Sequence, residues 1–159
     1  MRISELLKNA LNEGACFKHP VAALIETADN YIMGWNGPPI KIEHNECLRK
    51  GYASGEGMHL CPTIHAERRA ISRAARVGYK TSGGSIYLNE WFPCADCAKS
   101  IIEAGLIKLI TPDEVYSNKD TYELIPKLRN QPYNFEMAEK LLREAGIEII
   151  IDPSIKVLK

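Results

Sequence analysis

Neither sign of charge prevails in this chain: 159 residues carry 20 lysines and arginines against 20 aspartates and glutamates, a formal net charge of zero. A broad basic face for duplex DNA or tRNA is therefore not indicated, and nucleic acid is not an expected partner. Long hydrophobic runs are missing too. No stretch reaches the roughly 20 apolar residues of a membrane span, and the amphipathic opening Met1-Arg2-Ile3-Ser4-Glu5-Leu6-Leu7-Lys8 lacks the apolar run of a secretory signal. Cysteine is odd in number, five in all, with Cys94 and Cys97 in metal spacing. Such usage argues for reduced thiols and a metal rather than a secreted disulfide framework. There is no internal repeat and no low-complexity tract. These absences predict a cytoplasmic chain without membrane contact, and the length suits one domain, residues 1–159, with a substantial core.

What is present is clearly punctuated. Ile3, Leu6, Leu7, Ala10 and Leu11 share one helical face, with Gly14 just beyond, and predict a first helix. Residues 21–26 and 31–35 are apolar runs joined by Thr27-Ala28-Asp29-Asn30, the pattern of a β-hairpin. Thr63 is placed to cap a helix over residues 64–77 that Gly78 stops, and Gly83-Gly84 precede a strand over 85–89. Pro93 begins a further helix, where its missing N–H costs nothing, and Gly105 closes it. A strand over 107–111, a short helix near 122–128, a helix capped by Asn134 and ended by Gly146, and a strand over 147–151 complete the series. A helix-containing connection separates the fourth and fifth strands, so the economical arrangement is a parallel crossover. The expected fold is α/β: a three-layer α/β/α sandwich whose mixed five-stranded sheet has parallel fourth and fifth strands, with helices on both faces. The helices that open near residues 65 and 94 should lie side by side.

Those two helix starts carry chemistry. One reads His65-Ala66-Glu67 and the other Pro93-Cys94-Ala95-Asp96-Cys97. Cys94 and Cys97 are three apart, so they are neighbours on one helical face, and the first turn favours thiolate over thiol. His65 completes a His/Cys/Cys set for zinc, which leaves a fourth position for water. Glu67 points away from the ligand and is placed to move that water's proton. Ala66, between them, is small enough to let a ring approach the metal. Taken alone, Cys-x-x-Cys is equally a redox pair or half of a structural zinc site, and His-x-Glu is usually a solvated pair. Together, each at the head of a helix and with Pro93 before the first cysteine, they form the signature of the zinc deaminases that act on cytosine or adenine.

Further segments narrow the resemblance. Ala15-Cys16-Phe17-Lys18 runs into Val21-Ala22-Ala23-Leu24, Trp35-Asn36-Gly37-Pro38-Pro39 follows the second strand, and Cys47-Leu48-Arg49-Lys50 with Leu60-Cys61 precedes the histidine. Phe92-Pro93-Cys94 and Leu141-Leu142-Arg143-Glu144-Ala145-Gly146-Ile147 complete the set. In these the chain resembles the deoxycytidylate (dCMP) deaminase branch of the cytidine/deoxycytidylate deaminase superfamily. The resemblance implies a zinc-dependent hydrolase of nucleotide biosynthesis that converts dCMP to dUMP with release of ammonia. It assigns the metal to His65, Cys94 and Cys97 and proton transfer to Glu67. It places the substrate against Asn36, Ala66 and Tyr133, with Asn36 on the sugar. It further implies a homo-oligomer, with dCTP and dTTP as candidate effectors, and a second zinc held by Cys16, Cys47 and Cys61 with His44, His59 or His19. Lys18, Lys41 and Arg49 flank the Asn36 loop and would supply positive charge toward a 5′-phosphate.

Plainer readings stand beside these. Asn36 before Gly37 is also a common left-handed turn residue, Tyr133 an ordinary core or surface aromatic, and free cysteines small buried hydrophobes. Three departures from the family pattern are visible: Arg69 where Asn is usual in His-Ala-Glu-x-Asn-Ala, the altered lead Asn89-Glu90-Trp91, and an unmatched segment over 112–132. Rival activities are a tRNA adenosine deaminase, which shares the Trp-Asn pair but is expected to be basic, a nucleoside cytidine deaminase, which usually has Cys in place of His65, and a guanine deaminase using Trp91 and Phe92 as a flat slot. A non-catalytic zinc-binding module is the non-enzymatic alternative.

Overall fold

The computed structural model describes residues 2–14, 16–53, 55–113 and 134–159. The short helix expected near 122–128 lies outside the described residues, as does Tyr133. Helix α1 (Ile3–Asn12) turns Leu6, Leu7, Ala10 and Leu11 inward, as its 3.6-residue spacing requires. Strands β1 (Ala22–Glu26) and β2 (Tyr31–Trp35) pair antiparallel, with Ala22 opposite Trp35 and Glu26 opposite Tyr31. Their turn is closed from both ends: Thr27 N–H donates to the Asn30 carbonyl at 2.9 Å, and Asn30 N–H donates to Thr27 Oγ1 at 3.1 Å.

Helix α2 (Ala66–Val77) leads to β3 (Ser85–Leu88), α3 (Ala95–Glu103) to β4 (Lys108–Thr111), and α4 (Phe135–Glu144) to β5 (Glu148–Ile151). The sheet order is β2-β1-β3-β4-β5, with β3 antiparallel to β1 and β3, β4 and β5 mutually parallel. The crossover expected before the fifth strand is present, and a second parallel crossover precedes the fourth. Two apolar clusters flank the sheet. Ala66, Ala70 and Ala74 of α2, Ala98 and Ile101 of α3, and Phe135, Ala138 and Leu142 of α4 pack on one face with Ile25, Ile86 and Leu109. Leu7 and Leu11 of α1, with Ile155 of the closing segment, cover Leu24 and Ile110 on the other. This is the expected three-layer arrangement, with α2 and α3 in the same layer.

Small residues bring α2 onto the sheet. Ala66, Ala70 and Ala74 are fully buried at i, i+4 and i+8, and the first two face Gly34 of β2, where a Cβ would stand 2.2 Å from the Ala66 carbonyl oxygen. Only glycine admits so close an approach.

The helix starts differ from the sequence expectation. Thr63 does not cap α2; its hydroxyl lies 3.0 Å from Cys61 Sγ, and Ile64 is taken into a bridge with Gly37 across two backbone hydrogen bonds of 3.3 and 2.9 Å. That tertiary pairing delays the helix, so His65 becomes its N-cap, with extended backbone. Pro93 precedes α3 rather than beginning it: the helix starts at Ala95, with Cys94 as its N-cap. Gly78 and Gly105 close these helices with φ of 77° and 71°, and Asn134 caps α4 by accepting from Met137 N–H at 3.2 Å. No helix among the described residues is long and apolar enough to cross a membrane.

Candidate active site

The N-termini of α2 and α3 meet at the same end of the same layer. His65 stands at the N-cap of α2, Cys94 at that of α3, and Cys97 one turn further on and fully buried. His65 Nδ1 lies 3.5 Å from Cys94 Sγ and 3.4 Å from Cys97 Sγ. Nitrogen and sulfur ligands at about 2.0 and 2.3 Å from a tetrahedral ion are separated by about 3.5 Å, so the donor set has the spacing that zinc requires. Among the described residues it is the one group of three or more His, Cys, Asp or Glu side chains gathered closely enough to hold a metal.

Electrostatics agree with that chemistry. A hydrogen bond from Cys97, with others at the helix start, pulls the Cys94 thiol down to about 4 against the opposing effect of burial. The same bond and burial push Cys97 up, and the Cys94 contact raises His65 to about 9. The three groups share protons that a divalent ion would displace. Glu67 is 5% exposed, and burial raises its carboxyl, with His65 opposing. That is the direction a proton-transfer group needs to work near neutral pH.

One pocket joins His65, Ala66, Glu67 and Cys94 to Asn36, Trp91 and Phe92. Asn36 is not left-handed, so the turn-residue alternative does not describe it. Its Oδ1 accepts from Val21 N–H at 2.8 Å and Cys16 N–H at 3.2 Å, and its Nδ2 donates to the His19 carbonyl at 2.6 Å. The side chain thus braces the loop before β1 and, among the described residues, has one Nδ2 proton uncommitted. Arg69, which departs from the family's Asn, donates to the carbonyls of Trp35, Gly37 and Pro38 at 2.7, 2.8 and 2.6 Å, fixing the backbone on either side of Asn36.

Sequence reasoning did not single out the pocket residue Phe135, reached Glu90 only as part of the altered lead Asn89-Glu90-Trp91, and weighed His19 only as a ligand of a second metal. His19 turns an edge to Trp91, with centroids 5.8 Å apart, and its Nε2 is buried without a hydrogen-bond partner among the described residues. Burial, then Lys18 and Arg49, lower its pKa. A lone histidine before Pro20 has no spacing pattern that could have flagged it.

Among the described residues the second metal set is not gathered. Cys16, Cys47, Cys61 and His44 are not gathered into a cluster: Cys16 Sγ accepts from Lys18 N–H at 3.5 Å, Cys61 faces Thr63, and His44 packs on Phe17 at 5.6 Å. Nor are Lys18 and Arg49 free charges. Lys18 Nζ bonds the Tyr52 carbonyl, and buried Arg49 bonds the carbonyls of Glu56 and Ala53 at 2.7 and 3.4 Å.

Residues 1–112 match the family model described as the cytidine and deoxycytidylate deaminase zinc-binding region. The chain belongs to this family. Over 91 residues it is 35% identical to ComE operon protein 2 of Bacillus subtilis (strain 168), covering 57% of this chain and 39% of that protein. Over 92 residues it is 34% identical to the deoxycytidylate deaminase of Enterobacteria phage T2, covering 58% of this chain and 40% of that one. The matched stretch therefore spans about two-fifths of these relatives. The dCMP deaminase of cyanophage S-TIM5, solved in complex with dCMP and dUMP, shares the fold at 20% identity, with a TM-score of 0.67 over 94% of this chain and 93% of that one. Like its family, the chain has a zinc-binding region, and its His/Cys/Cys set fits the ion.

Proposed function

We propose that residues 1–159 act as a single deaminase domain that hydrolyses the amino group of a cytosine nucleotide, dCMP to dUMP with release of ammonia. The observation that carries this reading is a buried carboxyl, Glu67, lining the same pocket as a His65/Cys94/Cys97 set at tetrahedral spacing. His65, Cys94 and Cys97 hold the zinc, which when bound supplies the Lewis acidity that makes water reactive at neutral pH. Glu67 takes a first proton from the attacking water and delivers it to the ring nitrogen, then passes the second, from the hydroxyl so added to the ring, to the amine that departs as ammonia. Asn36 offers its remaining Nδ2 proton to the sugar, and Trp91 and Phe92 give the base a flat apolar wall.

A nucleotide rather than a nucleoside is favoured by positive charge at the pocket. Lys18 and Arg49 act on His19 in its lining, although both are also tied to loop carbonyls. The reading is supported by relatives named deoxycytidylate deaminase, and it carries with it a homo-oligomer, control by dCTP and dTTP, and a cytoplasmic location. The test is ammonia release from dCMP, CMP, dCTP, deoxycytidine, cytidine, adenosine and guanine. dCMP should exceed deoxycytidine by at least about tenfold in kcat/KM, roughly what one charge-assisted contact supplies. Equal rates for the two, or turnover of guanine alone, would overturn the substrate assignment and leave the deaminase chemistry standing.

A further inference from the structure

Trp91 occupies a backbone conformation that bulky residues avoid. Its φ is 67°, in the left-handed region, two residues before the proline of the zinc helix. Conformations of this kind persist only where the surroundings over-determine them, and they gather at functional sites. Here the surroundings are explicit. The Asp113 carboxylate accepts from Trp91 N–H at 2.7 Å, and buried Thr111 donates its hydroxyl to the Trp91 carbonyl at 2.5 Å. Both polar groups of one peptide-bearing residue are therefore gripped from the end of β4. The second oxygen of Asp113 is paired with Lys156 Nζ at 2.8 Å, and that carboxylate is only 14% exposed. One residue further, the Val157 carbonyl accepts from Asn89 Nδ2 at 2.8 Å, while Asn89 Oδ1 accepts from Ala22 N–H at 2.7 Å. The segment after β5 is thereby stitched to the turn that carries Trp91.

We propose that Asp113, braced by Lys156 and acting with Thr111 on Trp91, is a positioning residue that holds Trp91 left-handed so that its indole forms the specificity-determining wall of the base pocket. Released from Asp113, the backbone relaxes toward negative φ, and the ring swings off the wall it shares with His19. The effect belongs to substrate fit: Asp113 itself does not line the pocket, and its carboxylate bonds Trp91 and Lys156 rather than a zinc ligand, Cys94 lying three residues beyond Trp91. The proposal rests on the deaminase reading for its substrate, and the experiment separates the two.

In the zinc-loaded protein without substrate, Asp113→Ala should increase quenching of tryptophan emission by acrylamide, and the increase should vanish when Trp91 is also replaced by Phe. Unchanged quenching overturns the clamp whether or not the protein turns over any nucleotide. With the substrate that the wild type deaminates, Trp91→Ala and Asp113→Ala should each raise KM by about tenfold, the loss expected for one base–aromatic contact, at unaltered zinc content and with kcat changed far less. Asp113→Asn keeps an acceptor for Trp91 N–H and should restore most of the KM. The double variant should be no worse than Trp91→Ala alone, because a residue that acts through Trp91 has nothing left to act on. Additive effects, or a fall confined to kcat, overturn the proposal; a wild type inactive on every substrate overturns the deaminase reading and the wall together.

Discussion

Glu67 shows how much one residue's surroundings decide. A carboxyl two positions past a histidine is ordinary on a solvated helix, but here it is buried, raised in pKa and open to the pocket that also receives His65 and Cys94. Glu67→Gln should keep zinc and fold while turnover falls by about a hundredfold or more; near-normal ammonia release from a zinc-replete variant would remove Glu67 from the reaction. Arg69 is the converse case, a charged residue whose work is structural. It satisfies three carbonyls around Asn36. Arg69→Ala should therefore lower stability by about 2–3 kcal/mol, the cost of leaving buried acceptors unpaired, seen as a lower midpoint in urea unfolding. A midpoint equal to that of the wild type would mean that water replaces the guanidinium.

At the scale of elements, the site exists because two helices start at one place. Gly34 lets α2 sink onto β2 until Ala66 and Ala70 touch the strand, and this sets the depth of His65. Gly34→Ala should cost about 1–3 kcal/mol through overpacking and weaken zinc retention, because relief of a 2.2 Å contact must lift the N-terminus of α2. Retention measured against a chelator would show the coupling; a destabilised variant that holds zinc as firmly as the wild type would break it. His65→Ala and Cys97→Ser should each lose zinc and activity together, since each removes one of three protein ligands. Metal analysis of the wild type should find one zinc per chain, because the described residues gather one ligand set. A second equivalent would require the loops holding Cys16, Cys47 and Cys61 to close on an ion.

Across the whole molecule, local signals and long-range ones separate cleanly. Apolar periodicity, helix-stopping glycines and the two metal-bearing helix starts are properties of contiguous residues, and they determined the α/β class, the parallel crossover and the donor set of zinc before any contact was known. Where the expectation slipped, a partner distant in sequence intervened: Gly37 bridging Ile64 moved the start of α2 from Thr63 to His65. Asn36 reads equally as a turn residue or a substrate contact until the loop carrying Cys16, His19 and Val21 folds against it and claims most of its amide. The left-handed Trp91 is held by Asp113, 22 positions away, and the cysteines outside the site join no metal-binding group among the described residues. The order of residues along the chain thus determined which groups the proposed chemistry uses, since those groups sit on helix starts written in short motifs. Which side chains surround the substrate was decided only in three dimensions, because a pocket wall is assembled from loops whose meeting depends on the packing of the whole sheet.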